Sequence, residues 1–331
     1  VSLFSGTFRG VVGATIGLAL AAGLTACGNS IAGNDAAANP AAAESAKAGF
    51  PRVIHHDKGE TTLEHKPQRI VALDNSLVDA VVALGQPLVG GISSYRDLHG
   101  FPPYLGDAVA QTEEVGPLES PDLEAIAELH PDLIISATVR HDALYDELSA
   151  IAPTVFVATT GPTWKDNIRL VGEATGEEDR ADDVLAAYET RAAALGQQIN
   201  EKAGNPTFSI VRFLDGPTRL MGNESFIGIV LTDMGIARPA AQDIDDFAVE
   251  IGEEQIRKAD GDHIFVTTYS AGQPAKERFL RNPLWERLNG VISGNVHDID
   301  DSIWMTSVSA QGAGLIMDDL AAIFDVDPAR S

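Results

Sequence analysis

Arginine and aromatic side chains are scarce in this chain, aromatics making up 6% of 331 residues, yet they recur at one kind of place. With short buried strands read from the apolar runs, Asn75 follows the first strand, and Tyr95 and Arg96 follow the second. Arg140 and Trp164 follow later ones. Arg212 ends the first strand of the second half, and Tyr269 and Trp304 follow the last two. Open parallel sheets bind ligands beyond the C-terminal ends of their strands, and pockets favour the space between domains. Guanidinium forks match anionic oxygens, and aromatic faces cover apolar ligand surface. The pattern therefore points to recognition of a partly apolar, oxygen-rich small molecule. Loop capping and surface ion pairs are the ordinary alternative use of the same residues.

Other chemistries lack their residues. A zinc or manganese site needs converging ligands, but the 8 histidines are scattered. His55 and His56 stand near the N-terminal segment, and His65, His99, His130, His141, His263 and His297 have no ligand spacing, so they read as surface or loop residues. No Gly-x-Ser-x-Gly elbow is present. No Walker loop is present, and no Gly-x-Gly-x-x-Gly follows the first strand. Asp298, Asp300 and Asp301 lack the Gly and distal Glu of a calcium loop and read as an acidic turn. Gly312 and Gly314 read as helix packing. No catalytic residue, metal ligand or resident cofactor is expected.

The elements that must position the candidate residues alternate along the chain. Arg69–Asp74, Leu88–Ser93, Asp132–Ala137 and Thr154–Ala158 read as strands. Between them, Leu77–Leu84 reads as a helix ending at Gly85. A second helix opens with Ser120 as N-cap and Pro121 at the first helical position, and a third lies around Leu144–Leu148. Strands alternating with helices predict a mainly parallel sheet covered by helices. After Glu177-Glu178-Asp179, Val184, Tyr188, Leu195 and Ile199 form one stripe of a long helix, running to about Lys202 and closed by Gly204. The alternation then restarts with strands Thr207–Arg212, Asp262–Thr267 and Val296–Ile299, and a last helix spans Gln311–Phe324. The fold class is α/β, with two Rossmann-like lobes joined by one long α-helix. The lobes echo each other: Glu124 precedes Asp132 by the same step as Glu254 precedes Asp262.

The N-terminal part has a different composition. An apolar run from Val11 to Leu24 has the length of a signal-peptide core and is short for a membrane span. Gly28 to Gly49 is rich in Ala, Asn and Gly and reads as a tether. Between them Leu24-Thr25-Ala26-Cys27 resembles the lipobox of bacterial lipoproteins, in which the cysteine is lipidated. Cys27 is the only cysteine, so it has no disulfide partner within the chain. The expected organisation is a signal peptide over 1–26, a lipidated N-terminus and tether over 27–50, an N-terminal lobe over 51–176, an inter-lobe helix over 177–203 and a C-terminal lobe over 204–327. Lys+Arg number 23 against 48 Asp+Glu, a net charge of −25, which excludes a nucleic-acid partner.

From about Pro51 to Phe324 the chain resembles the iron-siderophore and vitamin B12 class of extracytoplasmic solute-binding proteins that feed ABC importers. The segments that carry the resemblance are "PQRIVALDNSLVDAVVALG", "LESPDLEAIAELHPDLIISAT", "FIGIVLTDMGIARP", "EIGEEQIRKADGDHIFV" and "NPLWERLNGVISGNVHDIDDSIW". The resemblance implies a ligand held between two lobes and, because the connector is a continuous helix, only modest closure. It implies a ferric-siderophore ligand, with cobalamin or haem as rivals on the same fold. A haem would need an axial residue, for which Tyr95 and Tyr269 are available. It also implies that Glu124 and Glu254, with Glu253 as a register rival, dock onto arginines of the permease. The expected protein is a monomer on the outer face of the cytoplasmic membrane, held by lipid on Cys27. An exported α/β enzyme acting on the chelate is the reading from a different class. Of Trp164, Trp285 and Trp304, two are expected near the cleft.

Overall fold

The computed structural model describes residues 49–95 and 100–330. Cys27, the expected signal peptide, most of the tether and Arg96 lie outside the described residues.

The first lobe begins with an antiparallel hairpin, β1 (Arg52–His56) and β2 (Gly59–Leu63). Ile54 and Leu63 point into the core, and Asp57 N–H donates to Phe156 O at 2.9 Å, which ties the hairpin to the lobe. The central sheet comprises β3 (Ile70–Ala72), β4 (Leu88–Gly91), β5 (Glu113–Glu114), β6 (Leu133–Ala137) and β7 (Thr154–Val157), in the order β5-β4-β3-β6-β7. All its pairings are parallel. β3, β6 and β7 are buried throughout, as strands covered on both faces must be.

The covering helices of this lobe are α1 (Asn75–Ala83), α2 (Leu123–Glu128), α3 (Thr138–His141), α4 (Tyr145–Ile151) and α5 (Trp164–Thr175). α1 starts at Asp74, whose carboxylate accepts from Ser76 N–H, and stops at Leu84, after which Gly85 takes a positive φ of 67°. The start of α2 differs from expectation. Asp122, not Ser120, is the N-cap, and its carboxylate accepts from Glu124 and Ala125 N–H. A carboxylate is as good a cap as a hydroxyl, and here it reaches two donors.

α6 (Glu178–Ala203) runs 26 residues and ends at Gly204 in the left-handed conformation. Its buried stripe is Ala181, Leu185, Tyr188, Ala192, Leu195, Gly196 and Ile199, with Val184 at its margin. The second sheet contains β8 (Phe208–Phe213), β9 (Thr218–Met221), β10 (Ala248–Ile251), β11 (His263–Thr268) and β12 (Val296–Asp298), ordered β10-β9-β8-β11-β12. β8, β11 and β12 pair in parallel, while β9 joins β8 and β10 antiparallel. Its helices are α7 (Phe226–Asp233), α8 (Gln273–Leu280), α9 (Asn289–Ile292), α10 (Asp301–Trp304) and α11 (Ala310–Phe324).

The echo between the lobes has a physical counterpart. Asp132, just before β6, accepts from Gln68 and Arg69 N–H at 2.7 and 2.8 Å, pinning the entry to β3. Asp262, just before β11, accepts from Thr207 N–H and Oγ1–H at 2.8 and 2.7 Å, pinning the entry to β8. These donors hold the Asp262 carboxyl below its ordinary range. The lobes also share one apolar core through α1, α5, α6, α7 and α11. Asp233 of α7 accepts from Tyr188 OH of α6 at 2.6 Å and pairs with Lys165 of α5 at 2.6 Å.

Candidate functional site: a cleft between the lobes

A cleft of about 450 Å³ lies between the lobes. The first lobe contributes Asn75, Ser94, Tyr95 and the 100–104 segment, and the second contributes Asp300, Ser302, Ile303, Thr306, Ser307 and Leu315. Phe101, Pro102, Pro103, Tyr104, Ile303 and Leu315 give it apolar walls. Its floor is a seam of hydrogen bonds along α1. Asn75 Nδ2 donates to Thr306 O at 2.7 Å, and Gln311 Nε2 donates to Asp79 O at 2.8 Å, each crossing from one lobe to the other.

Beside the cleft, four of the expected residues form a row across the lobe boundary. The Arg140 guanidinium lies 5.5 Å from the centroid of the Tyr95 ring, and Tyr95 lies 6.1 Å from Tyr269. The Arg212 guanidinium lies 5.0 Å from the Tyr269 ring. Each arginine is held by a buried carboxylate. Arg140 Nε donates to Asp74 Oδ2 at 3.0 Å, and Nη2 reaches Thr160 Oγ1 at 3.3 Å. Arg212 forms a two-point pair with Asp301, Nε to Oδ1 at 2.8 Å and Nη2 to Oδ2 at 2.6 Å. Burial pulls the Arg140 guanidinium down, but the charge and hydrogen bond of Asp74 and the contact with Tyr95 outweigh it, so its proton is held above the ordinary value.

Under the floor lies Asp79 of α1, 1% exposed. Tyr104 OH donates to its Oδ2 at 2.8 Å. Burial pushes the Asp79 carboxyl up to about 7, while the nearby Ser309 and Tyr104 hydroxyls oppose the shift and the Asp74 charge adds to it.

The tryptophans are corrections. Trp164 is 2% exposed and makes edge contacts with Tyr188 at 5.1 Å and Phe226 at 6.0 Å, so it joins α5, α6 and α7 and not the cleft. Trp304 is 0% exposed, stacks on Phe265 at 5.1 Å and donates from Nε1 to Asp319 at 2.8 Å. Trp285 is buried against Phe279. A large apolar ring gains most by full burial, and a place after a strand does not distinguish a cleft ring from a core ring. The histidines also divide differently from expectation. His141 is buried, with Nδ1 at 2.8 Å from Ser136 Oγ and Nε2 at 2.7 Å from Leu118 O. His263 and His297 are half-buried and stack, with Nδ1 and Nε2 at 3.0 Å. No group of three or more metal-ligating side chains occurs among the described residues.

Sequence reasoning missed Ser94, Phe101, Tyr104, Ile303 and Thr306 as cleft residues, and it missed Asp74 and Asp301 as partners of the arginines. Asp74 was visible as the polar residue that ends the first strand, and Asp301 as part of the acidic turn. Glu124 and Glu254 are exposed on the first turn of α2 and on a 3-10 turn of the second lobe. Glu253 pairs with Arg278 at 3.7 Å.

This geometry, two α/β lobes and a long helix around an interlobe cleft, defines a solute-binding protein. The chain belongs to the periplasmic binding protein family, whose model matches residues 70–303. It is similar to the "Probable siderophore-binding lipoprotein YfiY" of Bacillus subtilis, 36% identical over 287 residues covering 82% of this chain and 87% of that protein. It is also similar to the "Fe(3+) dicitrate-binding periplasmic protein FecB" of Escherichia coli, 29% identical with 84% and 92% covered. Among solved structures, Staphylococcus aureus SirA complexed with staphyloferrin B matches with a TM-score of 0.76 and 29% identity, covering 84% of this chain and 99% of that one.

Proposed function

We propose that this protein is a lipid-anchored, extracytoplasmic receptor that binds a ferric siderophore between its lobes and delivers it to an ABC import permease. The observation that carries the reading is the row Arg140–Tyr95–Tyr269–Arg212 beside a cleft walled by both lobes. Tyrosine faces and apolar walls suit the body of a chelate, and guanidinium groups suit its oxygens. The named relatives, which bind siderophores or ferric citrate, support the same reading. An enzyme is the weaker reading, because the family and the similar proteins named above are binding proteins.

Glu124 and Glu254 are the residues of choice for permease docking. Each is exposed on its own lobe, and neither has an ion-pair partner among the described residues, whereas Glu253 is engaged by Arg278. Lipid on Cys27 would hold the protein at the outer face of the cytoplasmic membrane as a monomer, with no resident cofactor. Acyl chains contribute about 0.8 kcal/mol per buried CH₂.

The test is titration of the purified protein with ferric hydroxamate, ferric catecholate, ferric citrate, cobalamin and haem, each with its iron-free counterpart where one exists. Trp304 is buried but lies between the cleft residues Ser302 and Thr306, so an absorbing chelate should quench it. Saturable quenching by a ferric chelate, with none from the iron-free form, is the expected result. Response to haem or cobalamin alone would replace the ligand, and silence to all five would refute the reading. A Glu124→Ala/Glu254→Ala variant that binds normally but supports no uptake is the expected outcome for docking, and full uptake would refute it.

A further inference from the structure

The proposed chelate site contains two arginines that already have partners. Asp74 is 1% exposed and Asp301 is 8% exposed, and each lies against one guanidinium. Removing two charges from water costs several kcal/mol per ion, and a buried pair is often no more stable than apolar residues of the same volume. Stability alone is thus a poor reason for two such pairs.

The way the pairs are built sharpens the point. β3 corresponds to β8 and β6 to β11, because Asp132 and Asp262 pin equivalent strand entries. Asp74 and Arg212 then stand at matching places, equally far along from Ile70 and Phe208. Opposite charges occupy that matching place. Their partners come from unmatched strands: Arg140 follows β6, and Asp301 follows β12. The two lobes therefore reach the same trio of carboxylate, guanidinium and tyrosine face by different routes, and duplication of one lobe does not account for it.

The trios share a consequence. The edges of Arg212 that carry Nε and Nη2 are spent on Asp301, and Thr267 Oγ1 adds a 3.3 Å contact to the same carboxylate. The Nε of Arg140 is spent on Asp74, whose other oxygen is fixed by Ser76 N–H and Oγ–H at 2.9 and 2.6 Å. Each guanidinium is thereby held in orientation against its tyrosine, and its charge is largely balanced. The two arginines stand beside the cleft, and the charged side chain on its described lining is Asp300, an anion.

We infer that Asp74 and Asp301 are positioning residues that balance the two arginines in place and so set how much anionic charge the cleft accepts in a chelate. The inference rests on the ferric-chelate reading above.

The experiment compares wild type, Asp74→Asn and Asp301→Asn with two probes, the neutral tris-hydroxamate ferrichrome and the trianionic ferric tris-catecholate enterobactin. Folding is checked by melting. The quantity read is the ratio of the two affinities, which a purely structural role leaves unchanged. Each substitution uncovers one positive charge, so the ratio should move toward the trianion by roughly tenfold or more. Equal weakening of both probes in folded variants, with the ratio unmoved, overturns the inference while leaving the receptor reading intact. Should a variant fail to fold, the salt dependence of wild-type affinity decides. Balanced arginines give affinity for the trianion that changes little with salt, and a steep loss on adding salt, as for two uncompensated cations, overturns the inference. If wild type binds neither these probes nor any other ferric chelate, the receptor reading falls and this inference falls with it.

Discussion

Replacing Asp79 by asparagine should make the protein more stable, by most above neutral pH and by much less in mild acid. The carboxyl is fully enclosed, and burial moves it from 3.8 to about 7. The folded form thus holds this proton more tightly than the unfolded chain does. Stability must fall as pH rises from about 4 to about 7 and is level beyond that, where both forms are ionised. A tenfold difference in proton affinity between the folded and unfolded forms is worth about 1.4 kcal/mol, so the ionised carboxylate costs the native state on the order of 4 kcal/mol at pH 8. Asparagine keeps the shape and the polar pattern of the protonated acid. Its Oδ1 can accept from Tyr104 OH, as Oδ2 of Asp79 does at 2.8 Å, and its amide can donate toward Ser309. The assay is urea unfolding of both proteins at pH 5 and pH 8.5. The expected difference in favour of the variant is about 1.5 kcal/mol at pH 5 and about 4 kcal/mol at pH 8.5. A difference of the same size and sign at both values would refute the reasoning, because a group that titrates normally in the native state leaves no pH dependence of this sign.

His263 and His297 are held below the ordinary imidazole value, burial being the largest cause for both and the neighbouring His297 adding to it for His263. Their stabilising effect is present above about 6.5 and is lost as pH falls, so His297→Gln should flatten the loss of stability between pH 7 and pH 5 in melts of the two proteins. Gly196→Ala should destabilise by about 2 kcal/mol or more, because its Cβ would stand 1.7 Å from Met234 O, where α6 crosses the end of α7; an unchanged melting temperature would contradict the packing. Arg212→Met should lower both stability and chelate affinity, because Asp301 then stays buried without its cation, at a cost of about 3–5 kcal/mol. Calorimetry and the quenching titration measure the two effects separately.

Much of the architecture was legible from local signals. The strand runs at Ile70, Leu133, Thr154, Phe208 and His263 are apolar and bounded by turn residues, and the stripe from Ala181 to Ile199 can only be one face of a long helix. Other elements were hidden. β9 and β10 are four residues each and lack a period of their own. β9 forms on the edge that β8 offers, and β10 on the edge of β9. The β1–β2 hairpin is mostly polar and is held by contacts with β7 far along the chain. α5 carried a clear signal in Trp164, Ile168 and Val171, which share one helix face, but the tryptophan taken alone suggested a ligand.

The sequence by itself determined the α/β class, the two halves, the long connector and a set of arginines and tyrosines at strand ends. All of these depend on neighbours within a turn or two of one another. Tertiary structure alone decided which of those residues meet. Arg140 and Arg212, far apart in the chain, lie in one row because two sheets face across a cleft. Trp164 and Trp304 lie in the core because the helices beside them close over their rings. Burial and charge pairing depend on residues dozens or hundreds of positions away, so Asp74, Asp79 and Asp301 show their roles only when the lobes are packed together.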